Sequence, residues 1–248
     1  MVETHLLKTA LKVLRRNYGC PGLDGVSVRD IKRNYNYHLQ KVIHKLEAGD
    51  INTLRIKHVY INDYRGNCRE IYVYCLYERW IQSYLKLQIN KEIDNHLCPY
   101  VFGYRKGLSS GMLSNYIFGL GAEKTMHLDI EKFYESINLD LLMNKLYRLL
   151  DHRKEVVPLI IKSLSNNNCT GLPQGNVLSP MLSNLYLSDV DHSFERNYAR
   201  FSDDMYFAYN TRDEEKAIIE KVTGLLSTLG LKINWSKVEV LNLNEQKY

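Results

Sequence analysis

Two adjacent acidic residues, Asp203 and Asp204, interrupt a run of aromatic and small residues between Tyr198 and Tyr209. Acidic residues are poor strand formers, so their position between two strand-like segments calls for a reason. A tight turn between two short strands would fix both carboxylates at a rigid bend, where they repel each other unless a cation lies between them. Hard divalent cations such as Mg²⁺ prefer carboxylate oxygens and keep open positions for phosphate. Because Asp is also common in turns, the stretch alone is equally compatible with an ordinary hairpin tip.

A third acidic residue, Asp129, lies in a short strand predicted at 127–130. If this strand runs beside the Asp203-Asp204 hairpin, three carboxylates meet at one end of a sheet. Two Mg²⁺ ions about 3.5–4 Å apart, held by such carboxylates, activate a 3′-hydroxyl and stabilise a leaving pyrophosphate. Taken alone, a strand-ending acid is more often a helix N-cap or a surface residue.

The segments around these acids predict an α+β fold in which helices pack against a small antiparallel sheet. Apolar spacing and end signals predict helices at 3–17, 34–48, 77–96, 139–150, 154–165, 179–195 and 213–229, with others after Ser27 and after the basic loop 103–110. Alternating residues predict a hairpin of strands 54–61 and 69–74 around a turn at 62–67, with basic residues on one face. Two closing strands are predicted at 231–234 and 238–241.

The composition is that of an ordinary soluble globular protein, with 248 residues, 45% of them apolar and 25% charged. A net charge of +5 permits a nucleic-acid partner without requiring one. The five scattered cysteines form no CxxC pair and no Cys/His cluster with zinc spacing, which favours a reduced, cytoplasmic location. No signal peptide or apolar run of about 18 residues is present, so we expect no membrane partner.

Six segments in a fixed order resemble the reverse transcriptases, especially bacterial lineages related to group II introns, retrons and defence systems. The segments are Gly22-Leu23-Asp24-Gly25-Val26, Gly103-Tyr104-Arg105-Lys106-Gly107, Asp129-Ile130-Glu131-Lys132-Phe133-Tyr134-Glu135-Ser136-Ile137, Leu172-Pro173-Gln174-Gly175-Asn176-Val177-Leu178-Ser179-Pro180, Phe201-Ser202-Asp203-Asp204 and Leu229-Gly230-Leu231-Lys232-Ile233-Asn234-Trp235-Ser236-Lys237. Each is weak alone, but the ordered set is specific and covers nearly the whole chain from about residue 17.

The resemblance implies a right-hand polymerase with fingers in residues 1–125 and a palm in residues 126–248, with fingers elements interleaved near 139–172. It implies an RNA-directed DNA polymerase, a nucleotidyltransferase that takes dNTPs, an RNA template and a DNA or RNA primer. The implied cofactors are two Mg²⁺ ions, for which Mn²⁺ would substitute. Asp129 and Asp203 match the principal metal ligands, Asp204 supports them, and Ile130 is a further metal-contacting position.

Other roles also follow from the resemblance, position by position. Tyr134 matches an aromatic steric gate that would exclude a ribose 2′-hydroxyl, with simple core packing as the alternative. The nucleotide site would further include the triphosphate-binding Arg69, the pocket residues Gln174 and Gly175, and Lys237, which would assist pyrophosphate departure or lie solvated at the surface. Arg105 and Lys106 would contact the template backbone without reading its sequence.

Two departures from the family pattern bear on these expectations. Phe201-Ser202 stands where the family usually has an aromatic residue followed by Ala, a small change that should leave metal binding intact. No thumb is expected after the palm, which suggests either a fragment or a minimal enzyme that needs a partner protein or a structured RNA. Two alternatives to a general retroelement polymerase stay open. One is a phage-defence reverse transcriptase that is protein-primed or weakly templated. The other is a non-catalytic RNA-binding scaffold, for which the acids, Gln174 and Tyr134 would have no chemical use.

Overall fold

A computed structural model describes residues 2–16, 21–51, 56–62, 68–165 and 170–243. Within these ranges the α-helices are α1 Thr4–Arg16, α2 Val28–Arg33, α3 Tyr35–Ala48, α4 Leu76–His96, α5 Ser110–Gly119, α6 Phe133–Ser136, α7 Leu139–Leu149, α8 Val157–Leu164, α9 Ser179–His192 and α10 Arg212–Thr228. The strands are β1 Ile56–Asn62, β2 Cys68–Tyr74, β3 Lys124–Leu128, β4 Tyr198–Phe201, β5 Asp204–Tyr209 and β6 Glu239–Asn242. Two 3₁₀ helices cover Asp151–Val156 and Trp235–Lys237. The α+β class expected from the sequence is confirmed.

Local signals explain several helix ends. Ser27 caps α2 in a reciprocal capping box, because its hydroxyl accepts from the Asp30 amide while the Asp30 carboxylate accepts from the Ser27 amide at 2.9 Å. Thr211 and Glu214 repeat this arrangement at the start of α10. Gly49 ends α3 in the left-handed conformation that favours glycine, at φ 62°. These ends are therefore fixed by short-range hydrogen bonds.

The chain divides into two compact units, of which the first comprises Met1–Glu92 and Leu146–Ser179. In it, α1 buries the predicted apolar face, with Leu7 and Ala10 fully inaccessible. The fully buried Trp80 of α4 donates its indole N–H to the Leu7 carbonyl at 2.8 Å. Strands β1 and β2 pair antiparallel as predicted, from Ile56 opposite Tyr74 to Asn62 opposite Cys68. The predicted hairpin turn at 63–67 lies outside the described residues.

The second unit comprises Ile93–Lys145 and Pro180–Tyr248 and contains a four-stranded antiparallel sheet in the order β4-β5-β3-β6. Strand β3 therefore pairs with β5 on one side and with β6 on the other. Helix α10 buries Ile218, Val222 and Leu226, which are spaced four residues apart on one face. This sheet and its helices position the acidic residues discussed below.

Three predicted boundaries differ from the structure. Helix α9 ends at His192 rather than near 195, because the chain turns there and packs Phe194 edge-to-face against Phe207. The segment 231–234 is not a strand, since its pairing is limited to a single bridge between Ile130 and Ile233. The predicted strand 127–130 instead runs from Lys124 to Leu128, so that Asp129 lies just beyond its end.

The lengths and polarities of the helices determine whether any of them could span a bilayer. Within the described ranges, each helix is either too short or too polar to cross a membrane.

Candidate active site

The turn that carries Asp203 joins β4 to β5 in the second unit. Phe201 pairs with Asp204, which leaves Ser202 and Asp203 as a two-residue connection. Ser202 has φ 61°, a left-handed conformation that costs a non-glycine residue about 1–2 kcal/mol. Gly103 lies so close that a Cβ at that position would be 2.5 Å from the Ser202 nitrogen. The turn is therefore held in a strained conformation by tight packing against backbone.

A buried hydrogen-bond network centred on Arg200 stabilises this turn. The Arg200 guanidinium donates to both carboxylate oxygens of Asp191, at 2.7 and 2.6 Å, and to the Ser202 carbonyl at 2.7 Å. Asn184 accepts from the same guanidinium at 2.9 Å and donates to the Gly103 carbonyl at 2.8 Å. One arginine thus ties helix α9, the 103 segment and the Asp203 turn together.

Charge explains why this arginine can be buried. Burial lowers the pKa of Arg200, but the Asp191 carboxylate more than offsets that effect, and the net shift is upward. Tyr198 donates its hydroxyl to Asp191 at 2.7 Å, and burial raises the pKa of this tyrosine well above its ordinary value. The network is therefore an ion pair with its remaining acceptors occupied, as buried charges require.

The structure brings the three predicted aspartates to one end of the sheet. Leu128 pairs with Met205, so Asp129 follows the end of β3 where β5 begins with Asp204. Burial raises the pKa of the Asp203 carboxyl, and the negative charges of Asp204 and Asp129 raise it further. Like charges held this close favour either a shared proton or a bound cation.

Two of the three carboxylates have basic protein partners. Lys237 Nζ lies 2.9 Å from Asp129 Oδ2, and Asn234 donates to the same oxygen at 3.2 Å. His127 Nε2 lies 2.8 Å from Asp204 Oδ1, and the imidazole stacks on Tyr206 with ring centroids 4.8 Å apart. Among the described residues, the three aspartates do not place one carboxylate oxygen each within 4.8 Å of the other two.

The donor set nevertheless fits a hard divalent cation. Carboxylate oxygens are the preferred ligands of Mg²⁺, and burial, with the charges of Asp204 and Asp129, raises the pKa of the Asp203 carboxyl. The Lys237 ammonium occupies a position at Asp129 that a cation would otherwise take. Ile130 is buried and bridges to Ile233, so its backbone is fixed next to Asp129.

Tyr134 is held beside this acidic end. It lies on the short helix α6, is partly buried, and meets Phe133 in a T-shaped contact with centroids 5.6 Å apart. Burial raises the pKa of Tyr134, and Tyr104, Ser183 and Asp203 all interact with its hydroxyl. The structure therefore places the predicted gate close to one of the predicted metal ligands.

The basic loop before α5 contains one engaged and one exposed cation. Arg105 donates to the Asp94 carboxylate at 2.7 Å and to the Cys98 carbonyl at 2.7 Å, so its guanidinium braces the loop itself. Lys106 is exposed, as is the neighbouring Tyr104. Of the two predicted template contacts, Lys106 is the one with its charge open to solvent.

Gln174, Gly175 and Arg69 lie in the first unit. The Gln174 carbonyl accepts from the Tyr72 amide at 2.8 Å, which holds the 172–179 loop against β2. Gly175 has φ 108°, and a Cβ there would lie 2.2 Å from the Tyr72 carbonyl oxygen. The backbone of Arg69 pairs with Ile61 within the hairpin, while its side chain lies outside the described part.

Sequence reasoning missed several residues that organise these positions. They are His127, Asn184, Asp191, Arg200 and Asn234. Arg200 and Asp191 could have been predicted from the sequence. An arginine inside a strand, between Ala199 and Phe201, implies a buried partner for its charge. Asp191, which is buried near the end of α9, is the matching acid.

Comparisons with known proteins agree with this geometry. A family model described as reverse transcriptase (RNA-dependent DNA polymerase) matches residues 57–248. Protein YkfC of Escherichia coli (strain K12) is 22% identical over 279 residues, covering 91% of this chain and 73% of that protein. The putative COX1/OXI3 intron 1 protein of Saccharomyces cerevisiae is 24% identical over 171 residues, covering 64% of this chain and 20% of that protein.

Solved telomerase structures share the fold. Apo telomerase from Candida Tropicalis, truncated from its C-terminal domain, superposes with a TM-score of 0.58 at 14% identity, covering 75% of this chain and 50% of that one. Telomerase from Candida albicans, in complex with a TWJ fragment of telomeric RNA, gives a TM-score of 0.55 at 16% identity over 90% of this chain and 47% of that one. This chain therefore spans about half of each telomerase chain. Since the family model matches most of its length, the chain belongs to the reverse transcriptase (RNA-dependent DNA polymerase) family.

Proposed function

We propose that this chain is an RNA-directed DNA polymerase that extends a primer on an RNA template with dNTPs. The observation that carries the proposal is the convergence of Asp129 and the Asp203 turn, where burial, together with the neighbouring carboxylates, raises the pKa of the Asp203 carboxyl. A group of carboxylates at one end of a sheet is suited to bind divalent cations. A bound Mg²⁺ pair would supply Lewis-acid stabilisation to an attacking 3′-oxygen and to a departing pyrophosphate.

We assign each polymerase role to the residue that holds the corresponding position in the reverse transcriptase pattern. Asp129 and Asp203 would hold the cations, and Asp204 would support them. Lys237 would leave Asp129 when the cations bind and would then be free to stabilise charge on the leaving pyrophosphate. In this reaction the 3′-hydroxyl loses its proton, a bond forms from its oxygen to the α-phosphorus, and the bond from that phosphorus to pyrophosphate breaks.

Several residues would contribute to substrate selection. The Tyr134 ring, fixed by Phe133 and Ser183, would occupy the space that a ribose 2′-hydroxyl needs, because a ring filling that volume penalises NTPs. Arg69 would bind the triphosphate with its guanidinium fork, and Gln174 and Gly175 would line the nucleotide pocket. The exposed Lys106 would contact template phosphates, with Arg105 bracing the loop.

Similarity to an intron-encoded protein supports a retroelement as the biological setting. A bacterial retroelement or phage-defence system is the setting we propose, with a structured RNA or a partner protein completing the grip on the duplex. Co-purification of RNA with the tagged chain, followed by sequencing, identifies that RNA. A plaque assay with and without the Asp203→Asn variant distinguishes defence from intron mobility.

One observation favours a second function. The Asp129 and Asp204 carboxylates are already partnered by Lys237 and His127, as they would be in a non-catalytic RNA-binding scaffold that never holds cations. Mn²⁺ provides a direct probe, because its EPR signal reports binding without requiring activity. Under the polymerase proposal, wild-type protein binds Mn²⁺ and Asp203→Asn binds it weakly.

Primer extension tests the activity itself. The wild-type chain is incubated with a primed RNA template, Mg²⁺ and dNTPs, beside Asp203→Asn and the matched control Asp140→Asn, whose acid is exposed on α7. Extension that is retained in Asp140→Asn and lost in Asp203→Asn supports the proposal. RNA binding without Mn²⁺ binding or extension, even after addition of the co-purified RNA, supports the scaffold.

A further inference from the structure

Three side chains away from the aspartate site bring metal-binding atoms together at the ends of two helices. His96 is the last residue of α4, while Asp189 and His192 occupy the last turn of α9. One potential ligand atom from each lies within 4.8 Å of the other two. The two imidazole rings are 5.3 Å apart between centroids and nearly perpendicular, at 75°. Across the described ranges, this is the group of His, Cys, Asp or Glu side chains that meets this distance.

We propose that His96, Asp189 and His192 form a binding site for Zn²⁺ or a related late first-row ion such as Co²⁺. Two imidazoles and a carboxylate are a known donor set for zinc, with a water in the fourth position. Mg²⁺ prefers oxygen ligands throughout, so imidazole ligands separate this site chemically from the aspartates.

Small side-chain movements would complete the coordination. Tetrahedral zinc with Zn–N distances near 2.0–2.1 Å needs ligand atoms about 3.4 Å apart. Asp189 and His192 are exposed, so both can rotate to close the remaining distance, while the half-buried His96 offers a more fixed anchor. The site is therefore accessible to ions from solvent.

The local field also favours a cation. Both helices end here, and a helix C-terminus carries partial negative charge. Lys145 Nζ lies 3.0 Å from Asp189 Oδ2, which leaves Oδ1 available for the metal. A bound metal ion would therefore share the Asp189 carboxylate with the Lys145 ammonium.

Metal binding at this site would stabilise the folded protein and would not take part in nucleotide transfer. Asp191 lies between Asp189 and His192 on α9, and its buried carboxylate pairs with Arg200. An ion that joins the end of α4 to this turn of α9 would restrain the helix end that carries Asp191. This inference does not rest on the proposed polymerase function.

No zinc-ligand spacing is visible in the sequence, because the ligands come from distant positions. His96 precedes Asp189 by 93 positions in the sequence, and a pair three residues apart at the end of a helix is not distinctive by itself. The fold creates the group.

The test is a titration of chelator-treated full-length chain with Zn²⁺ against a chromogenic competitor, with excess Mg²⁺ present to saturate carboxylate sites elsewhere. The variants are His192→Ala and Asp189→Asn, beside His44→Ala, which removes an exposed helical histidine elsewhere. We expect one equivalent of Zn²⁺ in the wild type and in His44→Ala. Because loss of even a supporting contact commonly costs 10–100-fold in affinity, loss of a ligand should weaken binding by roughly a hundredfold or more.

Two further readouts identify the ligands. Co²⁺ bound by imidazole and carboxylate gives visible absorption without the intense near-ultraviolet band of thiolate ligation, which excludes binding by cysteine. Zn²⁺ should raise the melting temperature of the wild type and of His44→Ala, and should leave that of His192→Ala unchanged. Absence of stoichiometric binding, a thiolate band, or equal affinity in His192→Ala would overturn the proposal.

Discussion

Arg200 and Asp191 form a two-point ion pair in which neither side chain has any solvent exposure. The same guanidinium donates to the Ser202 carbonyl, in the turn that carries Asp203. A structural charge pair is therefore connected through one hydrogen bond to the residue that precedes the candidate metal ligand.

Replacement of Arg200 by Met should destabilise the chain strongly. It leaves the Asp191 carboxylate buried without its cation, and breaking a buried pair in this way costs about 3–5 kcal/mol. Urea unfolding followed by circular dichroism measures the loss. The exposed Arg196→Met is the matched control and should change stability by less than about 0.5 kcal/mol. Equal effects of the two substitutions would show that the pair does not support the fold.

Asp203→Asn should stabilise the metal-free protein at neutral pH. The folded-state pKa of Asp203 is raised, mainly by burial, so its ionised form costs stability above that pKa and the cost vanishes below the unfolded value. An amide does not ionise, so the advantage of the variant should shrink as the pH falls toward about 4, the ordinary range for Asp. Urea unfolding across this pH range, without divalent cations, measures it.

Added Mg²⁺ should reverse the order of stability in the same experiment. A cation that binds the folded state stabilises it by mass action, and the wild type should gain more than Asp203→Asn. Asp140→Asn should respond to Mg²⁺ like the wild type. Equal gains in all three proteins would place the Mg²⁺ effect away from Asp203.

Tyr134→Ala should admit ribonucleotides. Removing the ring opens the space of a 2′-hydroxyl, and contacts of that size discriminate by roughly 10–200-fold. The measurement is the ratio of kcat/KM for dNTP and NTP incorporation in primer extension. Tyr134→Phe is the control, because it keeps the ring and loses the hydroxyl that interacts with Ser183. Unchanged discrimination in Tyr134→Ala would assign this ring to packing alone.

Gly175→Ala should disrupt the 172–179 loop. Its φ of 108° is strained for any L side chain, and the added Cβ would meet the Tyr72 carbonyl oxygen. We expect a loss of more than about 1 kcal/mol in unfolding free energy. Gly224→Ala on α10 is the opposite control, since nothing lies within 4 Å of its Cβ position and it should gain about 0.5–1 kcal/mol. A stable Gly175→Ala protein would show that the loop can leave β2.

Interactions between residues close in the sequence made much of the fold predictable. Ser27 with its capping partner, Gly49 after α3, and the polar break at Asp203-Asp204 each act over a few residues, and each lies where the sequence placed it. The strand predicted at 231–234 was wrong. Its apolar residues suggested a strand, whereas its backbone makes only short pairings with 129–131.

The partners of the site could not be predicted, because they come from distant parts of the chain. Lys237 reaches Asp129, and His127 reaches Asp204, only once the sheet is assembled. Arg105 shows the same limit, since its sequence position suggested a template contact and only the fold reveals that Asp94 engages it.

The order of strands in the sheet also sets when the site can form during synthesis. Thr125 in β3 pairs with Ala208 on one side and with Leu241 on the other. Such distant pairings form slowly, because the intervening chain must first be ordered. A ribosome that has translated Asp129, Asp203 and Asp204 has therefore not yet produced the strand that completes the far side of β3. The pairing of β6 with β3 can form only after residue 242 has left the exit tunnel.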